Sequence, residues 1–96
     1  MRPEQLKISY RIIEKLKQKH HVSIDEVWEC FLNRKQGFLE DTRLNHQTEP
    51  PTFWFISHTD RGRKLKVVFI NQHDGYEIKT TYEPNSKEVI IYEKYA

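Results

Sequence analysis

Residues 53–83 read FWFISHTDRGRKLKVVFINQHDGYEIKTTYE. This stretch predicts three strands joined by two short turns, because β-branched and aromatic residues dominate three runs that turn-forming residues separate. The runs extend from Phe53 to His58, from Leu65 to Asn71 and from Tyr76 to Glu83. The middle run is apolar on both faces, which favours the central position in an antiparallel sheet. The third run alternates strictly, with Tyr76, Ile78, Thr80 and Tyr82 at every second position.

Two helices are predicted before the sheet. The first runs from about Ile8 to Lys19, where apolar residues recur at helical spacing, and Ser9 is its N-cap. The second begins at Ser23 and Glu26, whose spacing is that of a capping box. Its predicted apolar stripe consists of Ile24, Val27, Trp28, Phe31 and Leu32. These two helices supply the surface that covers one face of the sheet.

The segments that flank the sheet are less regular. Residues 37–52 predict a polar connection between the second helix and the first strand. After Pro84, either Asn85 or Ser86 can cap a final segment that extends through Tyr95. This segment is predicted to be a helix with Val89 and Tyr92 facing inward, although its β-branched residues also suit a strand.

The fold class that follows is α+β in a single domain, residues 1–96. We expect two N-terminal helices packed on a three-stranded or slightly larger antiparallel sheet, with a short C-terminal helix. The single cysteine, Cys30, excludes an internal disulfide and favours a reducing compartment, which predicts a cytoplasmic protein. No apolar run reaches the length of a membrane span, and the N-terminal residues lack the apolar core of a signal peptide.

Basic residues are densest around the first predicted hairpin turn. They are Arg61, Arg63, Lys64 and Lys66, and Lys79 lies on the neighbouring strand. His58 and Tyr82 stand at strand ends. Cationic groups bind phosphate and aromatic rings stack on bases, so this mixture suits single-stranded RNA. The net charge of +2 does not by itself require such a partner, and solvated surface residues explain the cluster equally well.

The same residues allow RNA cleavage without a metal ion or cofactor. That reaction needs a base for the 2′-OH, cations for the phosphorane and an acid for the leaving oxygen. We assign catalysis to Arg61, Arg63, Lys79, His58 and Tyr82, and RNA binding to Lys64 and Lys66. A metal site is not predicted, because the pair His20-His21 and the later Cys30 lack a ligand spacing typical of metal centres.

Three strings of the sequence resemble BrnT-type toxins, which are ribonucleases of bacterial toxin–antitoxin pairs with a RelE-like fold. The strings are Lys19 to Val27, Thr59 to Val68, and Ile78-Lys79 followed by Glu88 and Tyr92. The resemblance implies a cytoplasmic, metal-independent ribonuclease that inhibits translation, with Arg61, Arg63 and Lys79 at matching positions. It also implies an antitoxin partner of the ribbon-helix-helix type.

The sequence departs from that family in three places. It shows no short strand with an aromatic–acidic pair before Ile8, it has His21 where glycine is usual, and Tyr82-Glu83-Pro84 replaces a serine-alanine-arginine string. The last departure removes a basic residue and favours a second hypothesis, a non-catalytic module that binds RNA or protein. A third and weaker hypothesis is an accessory enzyme of the ADP-ribosyl hydrolase type.

Overall fold

The computed structural model describes residues 6–41 and 51–96 as an α+β fold of three helices and five strands. In chain order these elements are β1 (Leu6–Lys7), α1 (Tyr10–His20), α2 (Ile24–Leu32), β2 (Leu39–Glu40), β3 (Thr52–His58), β4 (Lys64–Gln72), β5 (Gly75–Tyr82) and α3 (Ser86–Tyr95). The predicted α+β class, the two early helices, the three long strands and the final helix are confirmed. Most of the predicted connection, residues 42–50, lies outside the described residues.

The sheet has five strands and its pairing is mixed. Its strand order is β1-β5-β4-β3-β2, with β4 in the centre as expected. β1 pairs with β5 in parallel, and the remaining neighbours are antiparallel. The prediction allowed a sheet slightly larger than three strands, but its antiparallel pairing was wrong for β1, which joins the edge in parallel. β1 and β2 have two residues each, which is too short for any periodicity in the sequence to reveal.

A β-bulge interrupts the pairing of β4 with β5. Thr80 pairs with Val68 and Ile78 pairs with Phe69, which leaves Lys79 as the extra residue. An extra residue shifts the alternation of side chains by one position, so the residues on either side of it point to opposite faces. Tyr76 and Ile78 therefore lie on one face while Thr80 and Tyr82 lie on the other. The four residues that alternate strictly in the sequence are therefore divided between the two faces of the sheet.

All three helices begin at capping residues. Ser9 accepts a hydrogen bond at the start of α1, and complete capping boxes start α2, at Ser23 and Glu26, and α3, at Asn85 and Glu88. α1 ends at His21, which has a φ of 54° in the left-handed region. Among the described residues, no helix combines the length and apolarity needed to cross a membrane.

The main core lies between the sheet and the first two helices. We call this side of the sheet the inner face; it carries Phe55 and Phe69, and both rings contact Phe31 of α2. Val27 and Cys30 of α2 are also completely buried. Ile24 and Leu32 are 46% and 54% exposed, so the buried stripe of α2 is narrower than the sequence predicted.

The last helix covers part of the opposite side, which we call the outer face. Tyr92 of α3 packs against Trp54 of β3, with 5.7 Å between the ring centroids. The Tyr92 hydroxyl donates a hydrogen bond to the carbonyl oxygen of Gly37, 2.7 Å away. The final segment is thus a helix whose Tyr92 faces inward, as predicted.

Candidate nucleic-acid interface

The residues predicted to form one site are divided between the two faces of the sheet. Side chains alternate along a strand, and Trp54 and Lys66 contact α3, so His58 and Lys64 also belong to the outer face. Tyr82 joins them there because of the bulge. The side chain of Arg63 points away from this face, toward the C-terminal end of α1 and the first turn of α2. Arg61 lies at the tip of the β3–β4 turn and is exposed.

Four of the seven predicted residues come together at the hairpin end of the outer face. His58 lies directly opposite Lys64, and Lys66 lies directly opposite Tyr82. The two pairs occupy neighbouring rows, about 7 Å apart along the strands. We call His58, Lys64, Lys66 and Tyr82 the outer-face patch. His58 and Lys64 are exposed, Tyr82 is half-buried and Lys66 is buried.

Lys66 is held in an ion pair beneath α3. Its Nζ is 2.7 Å from Oε2 of Glu88 and 4.4 Å from the centroid of the Trp54 ring, and its side chain is only 5% exposed. The Tyr82 hydroxyl donates to the same Glu88 oxygen over 3.0 Å. A carboxylate at this distance neutralises the ammonium group. The charge of Lys66 is therefore not free for a phosphate in this conformation.

The network changes the acidity of its members. Burial raises the pKa of the Tyr82 hydroxyl and the bond to Glu88 adds to this, against the opposing effect of Lys66. Burial acts to raise the pKa of Glu88 as well, but hydrogen bonds from Lys66, Asn85 and Tyr82 outweigh it and the pKa is lowered. Near neutral pH, Glu88 is thus ionised and Tyr82 keeps its proton.

Arg63 is also engaged by the protein itself. Its guanidinium donates to the carbonyl oxygens of His20 and His21 at 2.9 and 2.7 Å, which are unpaired acceptors at the end of α1. It also contacts Glu26 at 3.2 Å and Glu83 at 3.3 Å. These contacts give Arg63 a structural role that the sequence did not indicate, since its partners are distant along the chain.

Of the five cations predicted for the site, Arg61, Lys64 and Lys79 remain accessible. Within residues 6–41 and 51–96, neither Arg61 nor Lys64 forms an ion pair. The Lys79 ammonium is 3.8 Å from Glu77, and the two side chains are 45% and 41% exposed. Lys79 is not a cross-strand neighbour of Lys66, whose partner on β5 is Tyr82. These three groups provide an open but dispersed positive surface.

His20 joins the site although no sequence pattern pointed to it. Its ring lies 5.7 Å from the Tyr82 ring, at an interplanar angle of 38°. Burial lowers the pKa of His20, and the nearby Lys15, Lys19 and His21 lower it further. The imidazole is therefore neutral near pH 7 and able to accept a proton. The contact joins the end of α1 to the end of β5, which only the tertiary structure brings together.

Metal ligation has no visible basis in the part of the chain that the structure describes. No group of three or more histidine, cysteine, aspartate or glutamate side chains there is arranged to hold a metal ion. Cys30 is fully buried, and burial raises the pKa of its thiol to about 12. Cys30 is therefore a core residue and not a nucleophile.

Comparisons with protein-family models, with curated proteins and with solved structures found no match to this chain.

Proposed function

We propose that the chain binds single-stranded RNA at the outer-face patch and cleaves it without a metal ion. The observation that carries this proposal is the ring contact, at the edge of that patch, between His20, whose imidazole is neutral, and Tyr82, whose protonated hydroxyl donates to Glu88. One can accept the proton of a 2′-OH and the other can donate to the leaving oxygen. Exposed Arg61 and Lys64 supply the charge for flanking phosphates.

The geometry favours His20 over His58 as the partner of Tyr82. His58 lies two strands away from Tyr82 across the sheet and two residues away along the strand direction, so the two residues are roughly 12 Å apart. A general acid and a general base that serve one phosphate must each lie within hydrogen-bond reach of it. His58, beside Lys64, is better placed to contact a neighbouring nucleotide. The assignment of catalysis to His58 thus remains a prediction with less support.

The toxin role rests on the resemblance, with one structural observation in its favour. The family usually opens with a short strand bearing an aromatic–acidic pair, and β1 is a short opening strand at Leu6–Lys7, although without that pair. In this proposal the chain acts in the cytoplasm, inhibits translation and is held inactive by an antitoxin protein of the ribbon-helix-helix type. Induced expression without that partner should arrest growth, and Tyr82→Phe should relieve the arrest.

A second candidate function is binding without cleavage, of RNA or of a protein. It is favoured by the ion pairs that occupy Lys66 and Arg63, because two of the cations expected to contact RNA already face Glu88, Glu26 and Glu83. On this hypothesis the outer-face patch recognises a partner and leaves it intact.

A cleavage assay with the purified chain tests the first function against the second. Fluorescent single-stranded RNA is incubated with excess protein and a chelator, and binding and cleavage are measured in parallel. We expect Tyr82→Phe to reduce the cleavage rate by roughly 10²-fold or more while RNA affinity is kept. Tyr10→Phe is the matched control, since Tyr10 is 76% exposed at the start of α1 and about 15 Å from His20 along the helix axis.

The outcomes are distinct. RNA that is bound but stays intact after long incubation would establish the binding module. Equal cleavage by wild type and Tyr82→Phe would remove Tyr82 from the mechanism. Absence of both binding and cleavage would reject both RNA functions.

A further inference from the structure

A row of basic side chains runs along α1. Arg11, Lys15 and Lys19 follow at intervals of four residues, so they lie on one side of the helix and about 6 Å apart along its axis. All three are exposed. The one carboxylate of α1, Glu14, accepts a hydrogen bond from Tyr10 over 3.2 Å at the start of the helix. We call Arg11, Lys15 and Lys19 the α1 row.

The α1 row leads to the outer-face patch. Lys19, the last residue of the row, directly precedes His20, whose ring centroid lies 5.7 Å from that of Tyr82 in the patch. Lys15 and Lys19 are close enough to His20 to affect its proton affinity. Along the edge of β5 that faces away from β4, β1 pairs only with Tyr76 and Glu77. Among the described strands, none therefore lies between the α1 row and Tyr82. The α1 row and the outer-face patch therefore adjoin at the His20–Tyr82 contact.

We propose that single-stranded RNA bound at the outer-face patch continues over the edge of β5 and along the α1 row, with phosphates at Lys15 and Lys19. This inference rests on the proposed function and extends the binding site beyond the patch. The His20–Tyr82 pair at the crossing offers ring faces on which a base can stack. Such a path needs unpaired bases and a backbone that bends around a sheet edge, which a duplex does not provide.

The salt dependence of RNA affinity tests this path. For single strands, the slope of log K against log salt changes by about 0.7 for each phosphate contact. We expect Lys15→Gln with Lys19→Gln to lower the magnitude of the slope by about 1.4, and to weaken binding most at low salt. Affinity is measured by fluorescence anisotropy with a labelled single-stranded RNA at a series of salt concentrations, and with a duplex of the same sequence.

The control variant removes the same charge elsewhere. Lys17→Gln with Lys94→Gln changes one lysine on the opposite side of α1, beside Ile13 and Leu16, and one lysine on α3. Its slope should remain that of wild type. Circular dichroism confirms that α1 is intact in both variants.

Each result bears on a different step of the inference. A wild-type protein that binds RNA, together with equal slopes for the two double variants, would overturn the path and leave the proposed function standing. Binding of the duplex as tight as that of the single strand would also overturn it. A wild-type protein without affinity for RNA would reject the proposed function, and the path with it.

Discussion

Arg61 and Arg63 are two residues apart and have opposite roles in the structure. The side chain of Arg63 is 26% exposed and joins the end of α1 to Glu26 and Glu83, whereas Arg61 is exposed at the hairpin tip. Their spacing on a hairpin gave no reason to separate them, because the partners of Arg63 come from three other parts of the chain. The sequence could predict a basic cluster but not which of its members the protein itself neutralises.

Stability measurements should distinguish the two arginines. Arg63→Ala leaves two helix-terminal carbonyls and a carboxylate without their donor, so we expect a loss of about 2 kcal/mol in the free energy of unfolding. Arg61→Ala should change it by less than about 0.5 kcal/mol. Urea denaturation followed by circular dichroism gives both values. Equal effects of the two substitutions would show that Arg63 does not hold the helix end.

Glu88 should give the fold a specific dependence on pH. Its pKa is lowered from an ordinary value of 4.5, so ionised Glu88 stabilises the folded state above that pH and loses this contribution as the pH falls through the folded pKa. We expect Glu88→Gln to cost about 2 kcal/mol near neutral pH.

The comparison between wild type and variant isolates this residue. The difference in unfolding free energy between the two proteins should narrow below pH 4.5, whereas other carboxylates affect both proteins equally. Urea denaturation at a series of pH values measures it. A difference that stays constant down to acidic pH would mean that the ion pair with Lys66 does not stabilise the fold.

At the scale of elements, local signals were predictable and distant pairings were not. The capping box of α2 was predicted from Ser23 and Glu26, which are three positions apart, and the structure contains it; for α3 the cap at Asn85 was one of two predicted, and the structure adds Glu88 to it. The bulge at Lys79 depends on how β5 meets β4, and no residue type marks it in advance. Its effect on the site is large, since it carries Tyr82 to the outer face beside Lys66.

Because the buried stripe of α2 is narrow, substitutions at two adjacent positions of this helix should differ in their effect on stability. Phe31 is 6% exposed and contacts Phe55, Phe69 and Tyr76, so Phe31→Ala should destabilise the fold by about 3–5 kcal/mol. Leu32→Ala, at the adjacent exposed position, should change stability by less than about 0.5 kcal/mol. Chemical denaturation compares the two, and similar losses would show that α2 is rotated from the described orientation.

At the scale of the whole molecule, the sheet is covered on both faces by unequal layers. The inner layer has two helices and a cluster of aromatic rings, while the outer layer depends on α3 through Tyr92 and the Lys66–Glu88 pair. The sequence indicated the inner layer through its periodic helices. It did not indicate the outer layer in the same detail, because Tyr92 is the one buried side chain of α3 and the partly buried Val89 and Ile91 do not extend it into a continuous apolar stripe.

Two tryptophans allow the cooperativity of the molecule to be measured. Trp28 lies on α2, and Trp54 lies beneath α3 on the outer face. We expect Trp28→Phe and Trp54→Phe each to unfold in one transition, with coincident curves from the remaining tryptophan and from circular dichroism. An earlier fluorescence transition in Trp28→Phe, which retains only Trp54, would show that α3 detaches before the rest of the fold is lost.

The Arg63 guanidinium also has a consequence for the order of events during folding. It contacts His20, His21, Glu26 and Glu83. The complete set of contacts can form only when α1, α2 and β5 have all reached their native positions. We expect an interaction that needs all of these elements in place to be absent from the transition state. Arg63→Ala should therefore accelerate unfolding and leave the refolding rate nearly unchanged in stopped-flow experiments, so that this side chain governs the lifetime of the native state.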